Sequence, residues 1–330
     1  MTDSNDSDVL RPLGRGGLTV QHHAYGVAAL GNLYRPVEPE FAFDALEAAW
    51  EAGVRYFDTA PHYGLGLAEE RLGRALARRP RDEFVVSTKV GRILVPTDAE
   101  TALLDDEDFA VKKTHTRVHD YSRDGVLRSI EDSLERTGLD RFDIVLVHDP
   151  DDFYIDAMEE TFPALEELRA AGVITSYGAG MNQSPMLADF VRNTDLDVVM
   201  VAGRFTLLEQ PALADLLPVA LDRGVSVIAA GVFNSGLLAT DRPAAGAKLN
   251  YSDAGPEVIA RVNHLADLCE SFGVSLAAAA AQYPLRHPAV STVCLGARSR
   301  AQVTRNAELF DVDIPEALWT SLAQEEFIHA

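Results

Sequence analysis

Lysine is scarce in this chain. Only four, Lys89, Lys112, Lys113 and Lys248, stand among 330 residues, and the formal net charge is −22. Nucleic-acid binding needs a basic face against phosphate, so this balance excludes that class. Cysteine is scarcer still: Cys269 and Cys294 give neither a metal-ligand spacing nor a disulfide framework, and Cys294, in an apolar run, reads as a reduced core residue. No apolar run reaches the length of a membrane span, and no basic segment leads into a signal-type apolar core. Neither a membrane span nor a signal peptide is therefore expected, and a cytoplasmic location is. No GxGxxG follows the first strand-like run, so a Rossmann domain has no motif here.

What is present is 47% hydrophobic and 24% charged residues, enough for a large buried core. Length alone suggests about two domains. Apolar strand-like runs, however, alternate with helical ones throughout, the pattern of repeated βα units on a parallel sheet. A (β/α)8 TIM barrel runs to this length as one domain, and a single domain over 1–330 is expected. Strands are expected near 25–30, 54–57, 84–88, 142–147, 173–178, 197–201, 225–230 and 290–295. Helices are expected near 39–52, from 67, and at 123–137, 161–171, 185–192, 211–221, 257–272 and 300–309. Residues 11–21 read as an N-terminal β-hairpin plugging the barrel bottom, 315–324 as a C-terminal tail helix, and 1–10 as a mobile acidic tail. The insertion 91–121 is long for a loop in a compact domain. Such loops are lids or disordered, and a lid over the substrate is expected.

The stretch GVRYFDTAPHYGLGLAEERLG, residues 53–73, organises the rest. A short apolar run ends in a polar burst that holds Asp58 and Tyr63, and a helix begins near Leu67. In parallel α/β folds ligands bind at that end of the strands. A lone Asp there serves equally well as a helix cap. Two further apolar runs end in one ionisable side chain each, Lys89 and His148.

The patterns FDTAPHYG, STKVGR and VHDPD resemble the aldo-keto reductase superfamily, and the resemblance extends from about Tyr25 past Asn306. It implies that Asp58, Tyr63, Lys89 and His148 form a catalytic tetrad and that NAD or NADP is the cofactor. The residue chemistry agrees. A phenol with a pKa of about 10 is a poor acid or base at neutral pH. An ammonium lowers that pKa, and a carboxylate keeps the ammonium charged and in place. His148 is suited to hydrogen-bond a substrate oxygen, and His62 reads as a pocket wall.

Barrels bind phosphates with the loops after their seventh and eighth strands. The first of these, GVFNSGLL, offers Gly231, Asn234, Ser235 and Gly236. In the second, LGARSRAQVTRN, Gly296, Arg298, Gln302 and Asn306 resemble the family's adenosine-side cradle. Gln302 and Asn306, four apart on a helix, also read as plain surface. GAGMN resembles the family segment in which Asn182 would bond the nicotinamide carboxamide. Ala202 and Ala230 stand where many relatives carry a Gln and a stacking aromatic, and Gly296 stands where NADP-preferring members carry a basic residue. Arg298 remains available to a 2′-phosphate.

The phrases LGNLYRPV, LVHDPDD, GAGMNQS, TLLEQ and AAGVFNSGLLA resemble a bacterial branch of aldose 1-dehydrogenases, acting on L-fucose and D-threo-aldoses, and pyridoxal 4-dehydrogenases. That implies oxidation of the C1 hemiacetal hydroxyl of a small sugar to a lactone. Pyridoxal 4-dehydrogenase and general aldehyde or ketone reductase are the alternatives within the chemistry. A non-catalytic, redox-sensing cofactor-binding subunit is the alternative of another class, which loss of a tetrad residue would favour. Asp149 and Asp151 are extra carboxylates suited either to sugar hydroxyls or to loop solvation. No metal site is expected.

Overall fold

Strands β1 (Arg11–Leu13) and β2 (Leu18–Val20) form an antiparallel hairpin, with Arg11 opposite Val20. This computed structural model describes residues 10–97, 103–240, 242–243, 246–249 and 252–329. The expected acidic tail therefore lies, apart from Leu10, outside the described residues. After the hairpin come β3 (His23–Gly26), β4 (Tyr56–Asp58), β5 (Val85–Val90), β6 (Arg92–Pro96), β7 (His115–His119) and β8 (Ile144–His148). They are followed by β9 (Ser176–Met181), β10 (Val198–Ala202), β11 (Ser226–Ala230), the short pair β12 (Lys248–Leu249) and β13 (Ser252–Asp253), and β14 (Val290–Gly296). Strands β3, β4, β5, β8, β9, β10, β11 and β14 close into one barrel in which every pairing is parallel. The (β/α)8 barrel read from the sequence is the fold.

Helices α1 (Pro39–Glu51), α2 (Leu67–Leu76), α3 (Arg123–Thr137), α4 (Tyr154–Asp156), α5 (Phe162–Ala170) and α6 (Ser184–Asn193) cover the first half. Helices α7 (Leu216–Arg223), α8 (Pro256–Ser271), α9 (Leu276–Gln282), α10 (Arg300–Glu308) and α11 (Glu316–Gln324) cover the second. Their ends follow local chemistry. Ser122 caps α3 by accepting from Gly125 N, and Gly138, at φ 68°, ends it in the left-handed region.

Side chains alternate across each barrel strand, and the two faces fill two cores. Phe57, Val145, Val147, Val199, Val201, Val227 and Ala229 pack outward under the helices. Tyr56, Ile144, Leu146, Val198, Met200, Ile228 and Cys294 point inward, where Leu13 and Val20 of the hairpin join them. The hairpin thus closes the bottom of the barrel, as its sequence suggests, and leaves the other mouth for chemistry.

Four stretches differ from the sequence reading. The first strand ends at Gly26, and Val27–Gly31 turns as a 3-10 helix. The buried Arg71 guanidinium accounts for this, since it donates to Leu30 O at 2.5 Å and Val37 O at 2.8 Å and draws the chain out of the sheet. The strand expected at 173–178 runs three residues later, because Gly172, at φ 70°, is followed by a turn that leaves Val173 exposed. The helix expected at 211–221 divides into a 3-10 turn, Pro211–Leu213, and α7, where the Asp215 side chain accepts from Leu216 N. The insertion 91–121 carries a hairpin, β6 against β7, with residues 98–102 outside the described set.

Backbone closeness in the barrel is sharpest at Gly178, where a Cβ would lie 1.5 Å from Val198 O. Gly178→Ala is expected to destabilise the fold by about 3 kcal/mol or more, because both neighbours are barrel backbone. Gly224→Ala meets open space at φ 66° and is expected to cost only about 1 kcal/mol. Urea unfolding of the two variants checks the difference.

Candidate active site

Alternation along the strands brings Asp58, Lys89 and His148 to the top inward layer of β4, β5 and β8, which are neighbours in the barrel. Tyr63 joins them from the turn between β4 and α2. The Lys89 ammonium donates to Asp58 Oδ2 at 2.6 Å and to Thr59 O at 2.9 Å. Ser87 Oγ donates to the other Asp58 oxygen at 2.7 Å, and the Tyr56 hydroxyl stands 3.0 Å from Ser87 Oγ. All of these groups are buried. A buried ion pair is tolerable only when its remaining donors and acceptors are used, and here they are. The ammonium lies 4.7 Å from the centre of the Tyr63 ring. The His148 ring stands 5.9 Å from the Tyr63 ring, nearly perpendicular to it. Tyr121 fixes the end of β8 by donating its hydroxyl to His148 O at 2.7 Å.

Burial pushes the Tyr63 phenol up to about 12, and Lys89 opposes this without overcoming it. The ammonium does lower the phenol's pKa, as its residue chemistry leads one to expect, but dehydration of the phenolate outweighs the nearby charge. Burial also acts to neutralise Lys89, but Asp58 and Tyr63 win and hold it above the ordinary lysine range. Burial, with Lys89 and Arg92 adding to it, drives His148 well below its ordinary value. At neutral pH the site therefore holds a neutral phenol, a charged ammonium and a neutral imidazole.

The β6–β7 hairpin folds over this group. Its far end pairs with the loop after β3: Leu33 bridges Phe109, Tyr34 N donates to Asp108 O at 2.6 Å, and Ala110 N donates to Asn32 O at 2.8 Å. Arg117 grips Asp105 through two bonds of 2.7 and 2.8 Å and reaches His62 O at 2.9 Å. Beneath lies a cavity of about 360 Å³ whose wall includes all four predicted residues, with His62, Glu107, Phe109, Asp149 and Asn182. Asn182 is exposed at its rim, and its carbonyl accepts from Arg204 Nε at 2.7 Å. Ala202 and Ala230, paired across β10 and β11, also line it. Sequence reading did not single out Tyr34, Glu107, Asp108 or Phe109. The acidic run ending in Phe109 was the available signal, but nothing local says which strand mouth an insertion covers.

A second cleft, of about 710 Å³, opens beside the first and shares Gly231, Cys294 and Gly296 with it. Its wall includes Ser235, Gly236, Arg298, Gln302 and Asn306, so most of the expected cradle is gathered in one place. Arg298 donates to Leu33 O at 2.6 Å, Gln302 Oε1 accepts from Arg298 N at 2.8 Å, and Asn306 donates to Gly296 O at 3.3 Å. Asn234 is different. It is only 2% exposed, does not line the cleft, and donates its amide to Glu209 Oε2 at 3.0 Å. Its left-handed backbone, φ 47°, shapes the turn that presents Ser235 and Gly236.

The family model of the Aldo/keto reductase family matches residues 24–324. A D-threo-aldose 1-dehydrogenase of a Pseudomonas species is 45% identical over 94% of this chain and 96% of its own. A pyridoxal 4-dehydrogenase of Microbacterium luteolum is 42% identical over 96% of this chain and 97% of its own. Among solved structures, a glycerol dehydrogenase from Gluconobacter oxydans superposes with a TM-score of 0.77 at 26% identity, covering 98% of both chains. An aldo-keto reductase from Bacillus halodurans in its holo form gives 0.76 at 26% identity, covering 97% of both.

Three histidines make stability sensitive to acid. Burial lowers His23 to about 4, His62 to about 3, and His148 well below its ordinary value. Each is neutral when folded and takes up a proton on unfolding below about pH 6.5, so its contribution is complete above that pH and declines as pH falls toward the folded values. The melting temperature is expected to fall between pH 7 and pH 5, by roughly 1–2 kcal/mol of stability per histidine. His62→Gln is expected to flatten that fall, and a thermal-melt series across the interval measures it.

Proposed function

Because this chain belongs to the aldo/keto reductase family, we propose that it oxidises the C1 hemiacetal hydroxyl of a small aldose, of the L-fucose or D-threo-aldose type, to the lactone, with NAD or NADP as hydride acceptor. The observation that carries this reading is the Lys89 ammonium, held at 2.6 Å by Asp58 and set against Tyr63, with His148 across a cavity that opens into the second cleft. A second reading, pyridoxal 4-dehydrogenation, is favoured by the relative of that name and by the aromatic wall of His62 and Phe109.

The cleft suits a dinucleotide. A Cβ at Gly296 would meet only Gly26 O, at 3.8 Å, and Gly231 and Gly236 adopt φ 62° and 92°, so backbone can approach a pyrophosphate closely. Ser235 and Gly236 would hold the pyrophosphate, Arg298, Gln302 and Asn306 the adenosine side, and Asn182 the carboxamide. When bound, the nicotinamide supplies the site that accepts or gives a hydride.

The protein's part is the proton. His148, neutral, donates a hydrogen bond to the C1 oxygen and orients it. In oxidation the phenolate of Tyr63 takes the proton from that oxygen, and the Lys89 ammonium stabilises the phenolate that must form first. In reduction the phenol returns the proton to a carbonyl oxygen. Asp58 keeps the ammonium charged and aimed. The hairpin roof, strands β6 and β7 with residues 103–114, acts as a lid that keeps water from the exchange.

The test follows the near-ultraviolet absorbance of reduced nicotinamide with purified protein, NAD or NADP, and L-fucose, D-arabinose, L-galactose or pyridoxal. Reduction of the nucleotide with a threo-configured aldose is expected. A response to pyridoxal alone selects the second reading, and silence on the whole panel contradicts both. Since burial holds the phenol protonated, up to about 12, the rate of oxidation is expected to rise with pH from neutrality into the alkaline range, whereas reduction is not.

A further inference from the structure

Resting on the aldose reading, we propose that His62 and Glu107 form a hydroxyl-recognition subsite that reads the C2 hydroxyl of the sugar, next to the reacting carbon. The His62 ring lies 5.6 Å from that of His148 and 6.0 Å from that of Tyr63. The three rings thus surround the place of the reacting oxygen, and a sugar bound with C2 toward His62 brings its C2 hydroxyl beside that ring. His62 Nδ1 is buried and has no hydrogen-bond partner among the described residues. The ring lines the cavity, so a ligand hydroxyl is one group that can supply the missing partner.

The nearest carboxylate completes the pair. Glu107 Oε2 lies 3.7 Å from His62 Nδ1, too far for a hydrogen bond between them but suited to one hydroxyl bridging both. That hydroxyl would accept from Nδ1–H and donate to Oε2. Glu107 is half exposed on the cavity wall. Arg117, 3.8 Å from its other oxygen, is already committed to Asp105 and His62 O, so the Glu107 carboxylate keeps accepting capacity for a ligand. Phe109, edge-on to His62 at 5.2 Å, supplies an apolar wall for the C–H face of a sugar ring.

The subsite is held rigidly. Arg117 and Asp105 are both buried beneath it, and Leu33 pairs with Phe109 on its other side. Asp149 and Asp151, the carboxylates that sequence offered for sugar hydroxyls, are engaged elsewhere: Asp149 with Arg92 at 3.1 Å, Asp151 with Gln183. A substrate without the C2 hydroxyl leaves both His62 and Glu107 unpaired.

Steady-state kinetics on L-fucose and 2-deoxy-L-fucose test this in wild type, Glu107→Leu and His62→Leu, with Glu107→Gln as the isosteric variant should Glu107→Leu fail to fold. In wild type, kcat/KM is expected to be about 30-fold lower for the deoxy sugar, the range of a hydrogen bond to a charged group. In Glu107→Leu and His62→Leu the two sugars are expected to converge, through loss on L-fucose. A variant that retains the wild-type ratio, or a wild type that does not distinguish the sugars, overturns the subsite while leaving the lactol chemistry in place. A wild type silent on both sugars overturns the functional reading and the subsite with it.

Discussion

The interaction on which the rest depends is the ion pair of Asp58 and Lys89, buried at the top of the barrel interior. Taking two charges out of water is expensive, and attraction repays the loss only with good geometry and no orphaned donors. Thr59 O and Ser87 Oγ supply that completeness. The pair is not there for stability. Its consequence is a permanent positive charge beside a phenol that burial would otherwise make still harder to ionise. On the proposed mechanism the site works by opposition: dehydration holds the proton on Tyr63, and the ammonium keeps release within reach.

The barrel makes that opposition possible. With the β1–β2 hairpin sealing the bottom, polar inward groups are useful only in the top layer, and strand alternation delivers one from each of three neighbouring strands. Elsewhere in that layer the chain places Gly180, Ala202 and Ala230, which leave room rather than contacts. The β6–β7 hairpin restores chemistry from above, where Glu107 and Phe109 descend toward the reacting centre. On the proposed reading, floor and roof divide the work, proton handling below and substrate choice above.

Much of this is legible in the sequence because it is local. An apolar run ending in an ionisable residue marks a strand mouth, and three such runs point to Asp58, Lys89 and His148. The membership of the (β/α)8 class follows from the alternation of runs. What escaped is non-local. The end of β3 is set by Arg71, far along the chain, and the burial of Asn234 by Glu209. The placing of Glu107 beside His62 depends on a hairpin whose position is fixed by Arg117 and Leu33. The net direction of the Tyr63 shift also required knowing how deep the ring lies, which no motif records.

The central claim is that Tyr63 moves the proton and that the residues beneath it exist to permit this. Tyr63→Phe removes one oxygen and keeps the ring. Turnover and nucleotide binding, the latter by quenching of protein fluorescence, are to be measured side by side on that variant. Turnover is expected to fall by about a thousandfold or more, within the range of a lost general acid–base, while the nucleotide still binds. An unchanged kcat in Tyr63→Phe would contradict the mechanism outright.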